Sequence, residues 1–426
     1  MKEKILFTLL CLLIYRIGAH IAAPGIDVEA LRAFTGQLQG TVFGIYDMFV
    51  GGGLSRATVF ALGIMPYISA SIMFQLLAAV FPTIEKMQKE GEEGRKRLTQ
   101  YTRYATVGLS IVQATGYAKF LEGIPNAVTS PGIGFTALMV LTLTTGAVFI
   151  MWLGEQITER GIGNGMSLLI FFSIIESLPT ALYETYRLVS LDQVTVLALV
   201  GLVVVMLGVI AATVAVTLAA RKIPVQIPRK VMGKGRIREG QKSFVPLRIN
   251  SAGVMPIIFA QSIVILPSTL STFSNSQAIR TFSNWFQFGT WPYELTFALL
   301  IVFFTYFYTA IVFNPVDLAE NLKKQGAFVP GVKPGARTAE YIDRVLTRIT
   351  LPGSIFLAAI AIVPGLVLNE AGVPFLGSVL GGTGVLIMVG VALDTVQQMQ
   401  QHLLLRRYDG FMRKGRVKLR GRQRFV

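Results

Sequence analysis

The chain has 426 residues, of which 53% are hydrophobic and only 15% charged, whereas soluble domains carry roughly 25% charged residues, so lipid must be the solvent for most of it. Its 39 basic against 23 acidic residues give a net charge of +16, which fits nucleic acid, anionic lipid or membrane orientation until the charges are placed. One cysteine, Cys11, excludes an internal disulfide, and two histidines, His20 and His402, leave no Cys/His set with metal-ligand spacing.

Stretches apolar enough to cross roughly 30 Å of hydrocarbon fall at 5–23, 58–81, 104–121, 133–154, 164–182, 195–219, 251–271, 293–313, 349–369 and 381–404. The first could pass for a secretory signal. Its apolar run continues past Arg16 to Ala23, however, no small-x-small cleavage site follows, and nine more segments come after it. The fold class expected is an all-α membrane protein with ten transmembrane helices. The third span, with Ser110, Gln113, Thr115 and Lys119, is the weakest.

Ten spans put both termini on one side. The termini and the loops 82–103, 155–163, 220–250 and 314–348 then hold 33 of the 39 Lys and Arg, which the positive-inside rule assigns to the cytosol. Most of the net charge therefore needs no partner.

Gly63-Ile-Met-Pro-Tyr-Ile68 in the second span recurs 190 positions later as Gly253-Val-Met-Pro-Ile-Ile258 in the seventh. The two spans run in opposite directions, the mark of an inverted-topology repeat, spans 1–5 against 6–10. The units expected are 1–194, 195–404 and a basic tail 405–426. Pro66 and Pro256 are expected to bend their spans at mid-membrane. Both spans carry polar groups, Ser69, Ser71 and Gln75 in one and Gln261 and Ser262 in the other. Ile64 and Ile68 lie four apart on one helical face, and Ile258 holds the equivalent place in span seven.

Between spans one and two lies a glycine-rich segment, about 41–57, that is too short to cross. It either rests at the interface or re-enters the protein, and the pattern alone leaves both open. Gly161-Ile-Gly-Asn-Gly165 follows no strand and reads as a flexible connector. No phosphate loop, zinc-protease motif or nucleophile elbow appears, and no cofactor or enzymatic activity is expected. Arg16, Glu176, Asp394 and Glu294 are scattered over four spans, which argues against the paired relay of an ion-coupled carrier. The tail, with Tyr408, Phe411 and Phe425 among its basic residues, suits anionic lipid or rRNA as well as cytosolic retention.

The runs Ala61 to Ser71, Trp152 to Gly165, Asn250 to Pro256 and Asn321 to Gly331 together resemble the SecY family, the channel-forming large subunit of the bacterial Sec translocon, over nearly the whole length. That resemblance implies a non-enzymatic channel in the plasma membrane that passes unfolded polypeptides across the bilayer and releases membrane segments sideways into it. It implies a re-entrant plug formed by the segment left open above, with Tyr46, Asp47, Met48, Phe49, Gly51, Gly52, Gly53, Leu54 and Ser55. A pore ring would be Ile64, Ile68 and Ile258, completed by Met166 and Ile170 from span five and Ile387 from span ten; Met166 sits where relatives often have isoleucine. The lateral gate would lie between spans two/three and seven/eight, lined by Ser69, Ser71, Gln75, Gln113, Gln261 and Ser262. Implied partners are SecE and SecG in the membrane, with the SecA ATPase or the ribosome on the cytosolic loops at Arg236, Arg238, Lys333 and Arg337. Two departures stand out. Only Met1 to Lys4 precede span one, where relatives usually have a longer amphipathic segment, and Lys333 stands where many relatives carry arginine. Against the channel stand a small-solute secondary transporter built on an inverted repeat and a non-transporting docking scaffold.

Overall fold

The computed structural model describes residues 2–35, 42–191, 196–226, 231–232, 236–237, 242–250, 253–273 and 290–414. The first half contributes α1 (Lys2–Gly18), α2 (Val28–Thr35), α3 (Val42–Phe49), α4 (Met65–Val80), α5 (Pro82–Lys89), α6 (Glu92–Glu122), α7 (Ile133–Arg160) and α8 (Gly165–Ser190). The second contributes α9 (Val196–Leu218), the strands β1 (Ala220–Gln226), β2 (Val231–Met232), β3 (Arg236–Ile237) and β4 (Lys242–Arg248), then α10 (Met255–Phe273), α11 (Trp291–Val312), α12 (Pro315–Lys324), α13 (Ala336–Glu370), α14 (Pro374–Leu380) and α15 (Gly382–Lys414).

Among the described residues five helical stretches are long and apolar enough to cross a bilayer: α7, α8, most of α9, α11 with α12, and most of α13. A sixth is possible if α4 and α5 count as one span broken by a 110° bend. That break has a local cause. The ring of Pro82 disfavours helical backbone at the residue before it, and Phe81 accordingly takes φ −102° and ψ 114° before Pro82 opens α5. The helices α1, α6, α10 and α15 occupy the other expected spans but are shorter or more polar.

Pro66 and Pro256 do not kink their spans. Each is the second residue of its helix, α4 and α10, a position whose N–H would have no partner in any case and where proline costs nothing. The break lies just upstream, where Gly63 and Gly253 both have positive φ, +55° and +65°. One residue later the carbonyls of Ile64 and Val254 accept from residues three and four ahead: Tyr67 and Ile68 at 3.1 Å in one copy, Ile257 and Ile258 at 3.2 and 3.3 Å in the other. The G-x-M-P motif is thus a helix-start device, used identically at both sites.

The connector at 161–165 is ordered. Asn164 caps α8, its side-chain oxygen accepting from the N–H groups of Met166 at 3.1 Å and Ser167 at 3.3 Å, while Ile162 N–H donates to Thr8 Oγ1 at 3.1 Å and Gly165 N–H to Thr158 Oγ1 at 2.9 Å. The amides at a helix start need acceptors, and here side chains supply them.

One large apolar cluster joins residues of α1 to α4, α6 to α11 and α13 to α15. Outside it, side chains such as Leu6, Leu9, Val204, Leu207 and Leu299 remain exposed, as expected where the solvent is hydrocarbon. A second, separate cluster combines Ile223, Val225 and Leu247 with Leu322, Val329, Ile342 and Leu346. It belongs to the segments read from sequence as two cytosolic loops. β1 pairs antiparallel with β4, Ala220 opposite Arg248 through Gln226 opposite Lys242, and Gln226 bridges to Phe328 by two backbone hydrogen bonds of 2.9 and 3.0 Å. The two loops therefore fold onto each other as a single unit.

Candidate channel constriction and plug segment

After α3 the chain turns back on itself within residues 46–62, held by its own polar groups. Asp47 Oδ1 accepts from the N–H groups of Leu54 at 2.8 Å and Ser55 at 2.9 Å, closing the glycine turn. Tyr46 OH donates to Leu62 O at 3.2 Å, Tyr117 OH to Leu54 O at 2.5 Å, Ser55 Oγ to Gly52 O at 3.1 Å and Thr58 Oγ1 to Gly53 O at 3.2 Å. Burial pushes the Asp47 carboxyl up, against the opposing pull of the Ser55 and Leu54 hydrogen bonds and of nearby Arg56. Met48, Phe49, Val50 and Leu54 are buried in the main cluster, and α3 packs against α8, α10 and α14. The segment therefore lies inside the protein and not at an interface.

The positions expected to form a ring are nearly all buried. Ile64, Ile68, Ile170, Ile258 and Ile387, from the starts of α4 and α10 and from α8 and α15, are each at most 5% exposed and belong to one cluster. Met166 is half-buried against that cluster. The helices pack accordingly, α4 on α10, α8 on α15 and α10 on α15.

The polar residues expected at a gate are carried by α4, α6 and α10, which pack on one another. Gln75 Nε2 donates to Ser71 Oγ at 3.1 Å and Ser262 Oγ to Ile258 O at 2.8 Å, each within its own helix, while Gln261 Nε2 donates to Tyr293 OH on α11 at 3.3 Å. Ser69 is half-buried, and Gln113 Oε1 is buried without a hydrogen-bond partner among the described residues. None of these bonds joins α10 to α4 or α6.

On the second cluster, Lys333 and Arg337 are exposed, beside a turn in which Thr338 Oγ1 donates to Lys333 O at 2.9 Å. Arg236 falls in β3, and Arg238 lies outside the described residues, as do the tail residues from 415 onward. Sequence reasoning missed the packing of the two loops, although Ile223 and Val225, and Val245 and Leu247, carry the period-two alternation of half-buried strands. It also missed that Arg16 and Glu176, taken as scattered, form an ion pair between α1 and α8. Packing of α1 on α8 brings residues 160 positions apart in sequence to one depth.

A model of the SecY family matches residues 58–396. A relative from Aquifex aeolicus described as protein translocase subunit SecY is 44% identical, covering 97% of both chains. The chain belongs to the SecY family. Among solved structures, one described as SecY whose plug domain stabilises the closed state of the translocation channel and maintains a membrane seal aligns with a TM-score of 0.66 at 17% identity, over 98% of this chain and 95% of that one. Sec61 in a canine ribosome-channel complex aligns with a TM-score of 0.62 at 16% identity, over 98% and 95%. At such identities the likeness speaks for the SecY fold alone.

Proposed function

We propose that this chain is the channel subunit of a protein translocase, a membrane protein with no enzymatic activity of its own, which threads unfolded polypeptides across a bacterial plasma membrane and releases apolar segments into the lipid. One observation supports the reading: Ile64, Ile68, Ile170, Ile258 and Ile387 are all buried in the core that α4, α8, α10 and α15 share, and the folded, non-spanning segment packs on α8 and α10. A collar of branched apolar side chains holds neither water nor ions, so it seals by dewetting, yet it yields around a passing chain without binding it. Residues 46–55 form the plug at its outer side. The seam between α10 and the pair α4/α6 is the lateral gate, because apolar contacts exchange for lipid at little cost while interhelical hydrogen bonds would not.

The finer reading has ten spans, adding α1, α6, α10 and α15 to the six counted above, in two inverted halves, 1–194 and 195–404, with both termini cytosolic. The recurrence of the Gly63 and Gly253 helix starts supports the repeat. SecE and SecG are the membrane partners. The SecA motor or a ribosome docks on the folded unit that displays Lys333 and Arg337, with Arg236 and Arg238 between β1 and β4 in the chain, and the basic tail meets anionic lipid or rRNA. A small-solute transporter is not supported, since the relatives are translocases.

Replacing Ile68 and Ile258 together by Asn tests the seal. The pair should wet the constriction and raise resting ion conductance in planar bilayers, whereas Leu at both positions should not. An Asn pair that conducts no more than the parent would remove the seal from these residues.

A further inference from the structure

We propose that the Arg16–Glu176 ion pair is the electrostatic seat of the plug, so that Glu176 and Arg16 are positioning residues for gating and not merely a brace between α1 and α8; this rests on residues 46–55 being the plug. Glu176 has a side chain 5% exposed and Arg16 one 42% exposed, so the carboxylate is inside and its cation reaches outward. A buried carboxylate with a single cation is costly to hold, which asks what the arrangement secures.

What lies on the pair is the plug turn. A Cβ on Gly51 would sit 3.2 Å from Glu176 Oε2 and 3.6 Å from Ser173 Cα, so the plug backbone rests directly on α8. The neighbour of Arg16 does the same from α1: Tyr15 OH lies 2.7 Å from Ser173 Oγ and 3.4 Å from Val50 O. Tyr15 of α1 thus meets Val50, while Ser173 and Glu176 of α8, one turn apart, meet Gly51, and Arg16 reaches the plug turn through Glu176. A second tie closes the far end. His20 Nδ1 is 3.0 Å from Arg16 O and its Nε2 is 2.9 Å from Arg56 Nη1. The carbonyl requires Nδ1 to carry the proton, which leaves Nε2 to accept from the guanidinium. Arg56 and Arg16 are thereby linked through one imidazole.

The same α8 also carries Ile170 and Met166 toward its start, so ring and seat are fixed to one rigid element. With the plug in place, Gly51 covers Glu176 and the attraction to Arg16 acts in a dry setting. Once the plug leaves, water reaches the carboxylate and the attraction falls as the surroundings become more polar. The pair is therefore strong in the closed channel and weak in the open one, which favours two states over a graded displacement.

The test measures resting ion leak per folded channel in proteoliposomes, with thermal unfolding of each variant followed in detergent. Glu176→Gln, nearly isosteric, and Arg16→Gln should each raise the leak by about tenfold or more, since a lone buried charge or a lost pair shifts the closed state by at least that factor. The exchanged pair Arg16→Glu with Glu176→Arg should bring the leak back to within about twofold of the parent. Gly51→Ala, which leaves α1 and α8 untouched, should leak as well. Deletion of 46–55 separates the two readings. If the deletion leaks while Glu176→Gln and Gly51→Ala remain tight, the seat is overturned and the plug stands; if the deletion itself does not leak, the plug reading fails and the seat with it. Loss of thermal stability without added leak in the Glu176→Gln channel would reduce the pair to a brace.

Discussion

Substituting Gly63 by Ala, with Gly253→Ala as its matched control, separates two costs that share a backbone. Both glycines sit at positive φ, +55° and +65°, where an L side chain costs roughly 1–2 kcal/mol whatever its surroundings. Their surroundings differ. A Cβ at Gly63 would lie 2.9 Å from Val50 Cγ2 and 3.3 Å from Val50 Cγ1, whereas at Gly253 the contact is Asp394 Oδ2 at an ordinary 3.7 Å. Val50 is fully buried between α3 and the glycine turn, so it has little room to retreat, and overpacking of this kind adds roughly 1–3 kcal/mol. Gly63→Ala should therefore lower stability by about 2–5 kcal/mol and Gly253→Ala by about 1–2 kcal/mol, read as the difference between the two in denaturant unfolding of the purified protein. Because Val50 adjoins the plug turn, Gly63→Ala should also raise resting ion leak while Gly253→Ala does not. Adding Val50→Ala should relieve the overlap, giving a coupling of opposite sign to the single costs in a double-mutant cycle. Equal losses for the two glycines, or no relief from Val50→Ala, would refute the packing argument and leave only the backbone strain.

Reversing Lys333 and Arg337 to Glu should weaken association of a motor or ribosome, with the remaining affinity less sensitive to salt, because both side chains are exposed and attract an acidic or phosphate-rich surface by charge; unchanged affinity, measured by co-sedimentation at two salt concentrations, would restrict the loops to orienting the chain. Single cysteines placed in 220–250 and 320–340, in a Cys11→Ser background, should be modified from the cytosolic face only and one near Ser274 from outside; labelling of 220–250 from outside intact cells would overturn the orientation.

The positions proposed for the constriction were partly legible in the sequence because some of them depend on short-range pattern. The period of Ile64 and Ile68, and the recurrence of Gly-x-Met-Pro before Ile258, mark two like helix starts without knowledge of their packing. Resemblance supplied Met166, Ile170 and Ile387, which no local pattern singles out, and all six positions except Met166 are buried in one cluster. The proline was misread because a proline within an apolar run is compatible with a kink or with a helix start; only the backbone at Gly63 and Gly253 distinguishes them.

Composition by itself determined that lipid is the solvent for most of the chain, and the Lys/Arg asymmetry by itself gave the proposed orientation, since hydropathy and charge act on each segment independently of its neighbours. Only the tertiary structure decided what depends on distant segments meeting. It buried the glycine-rich segment against α8, α10 and α14, which a short apolar stretch cannot reveal because interface and interior reward the same residues. It joined residues 220–250 and 314–348 into one small core, where alternation in two seven-residue strands is too brief a signal beside the charges around it. And it paired Arg16 with Glu176: a buried charge is tolerable only beside its opposite, but sequence separation carries no information about which opposite that is until two helices pack.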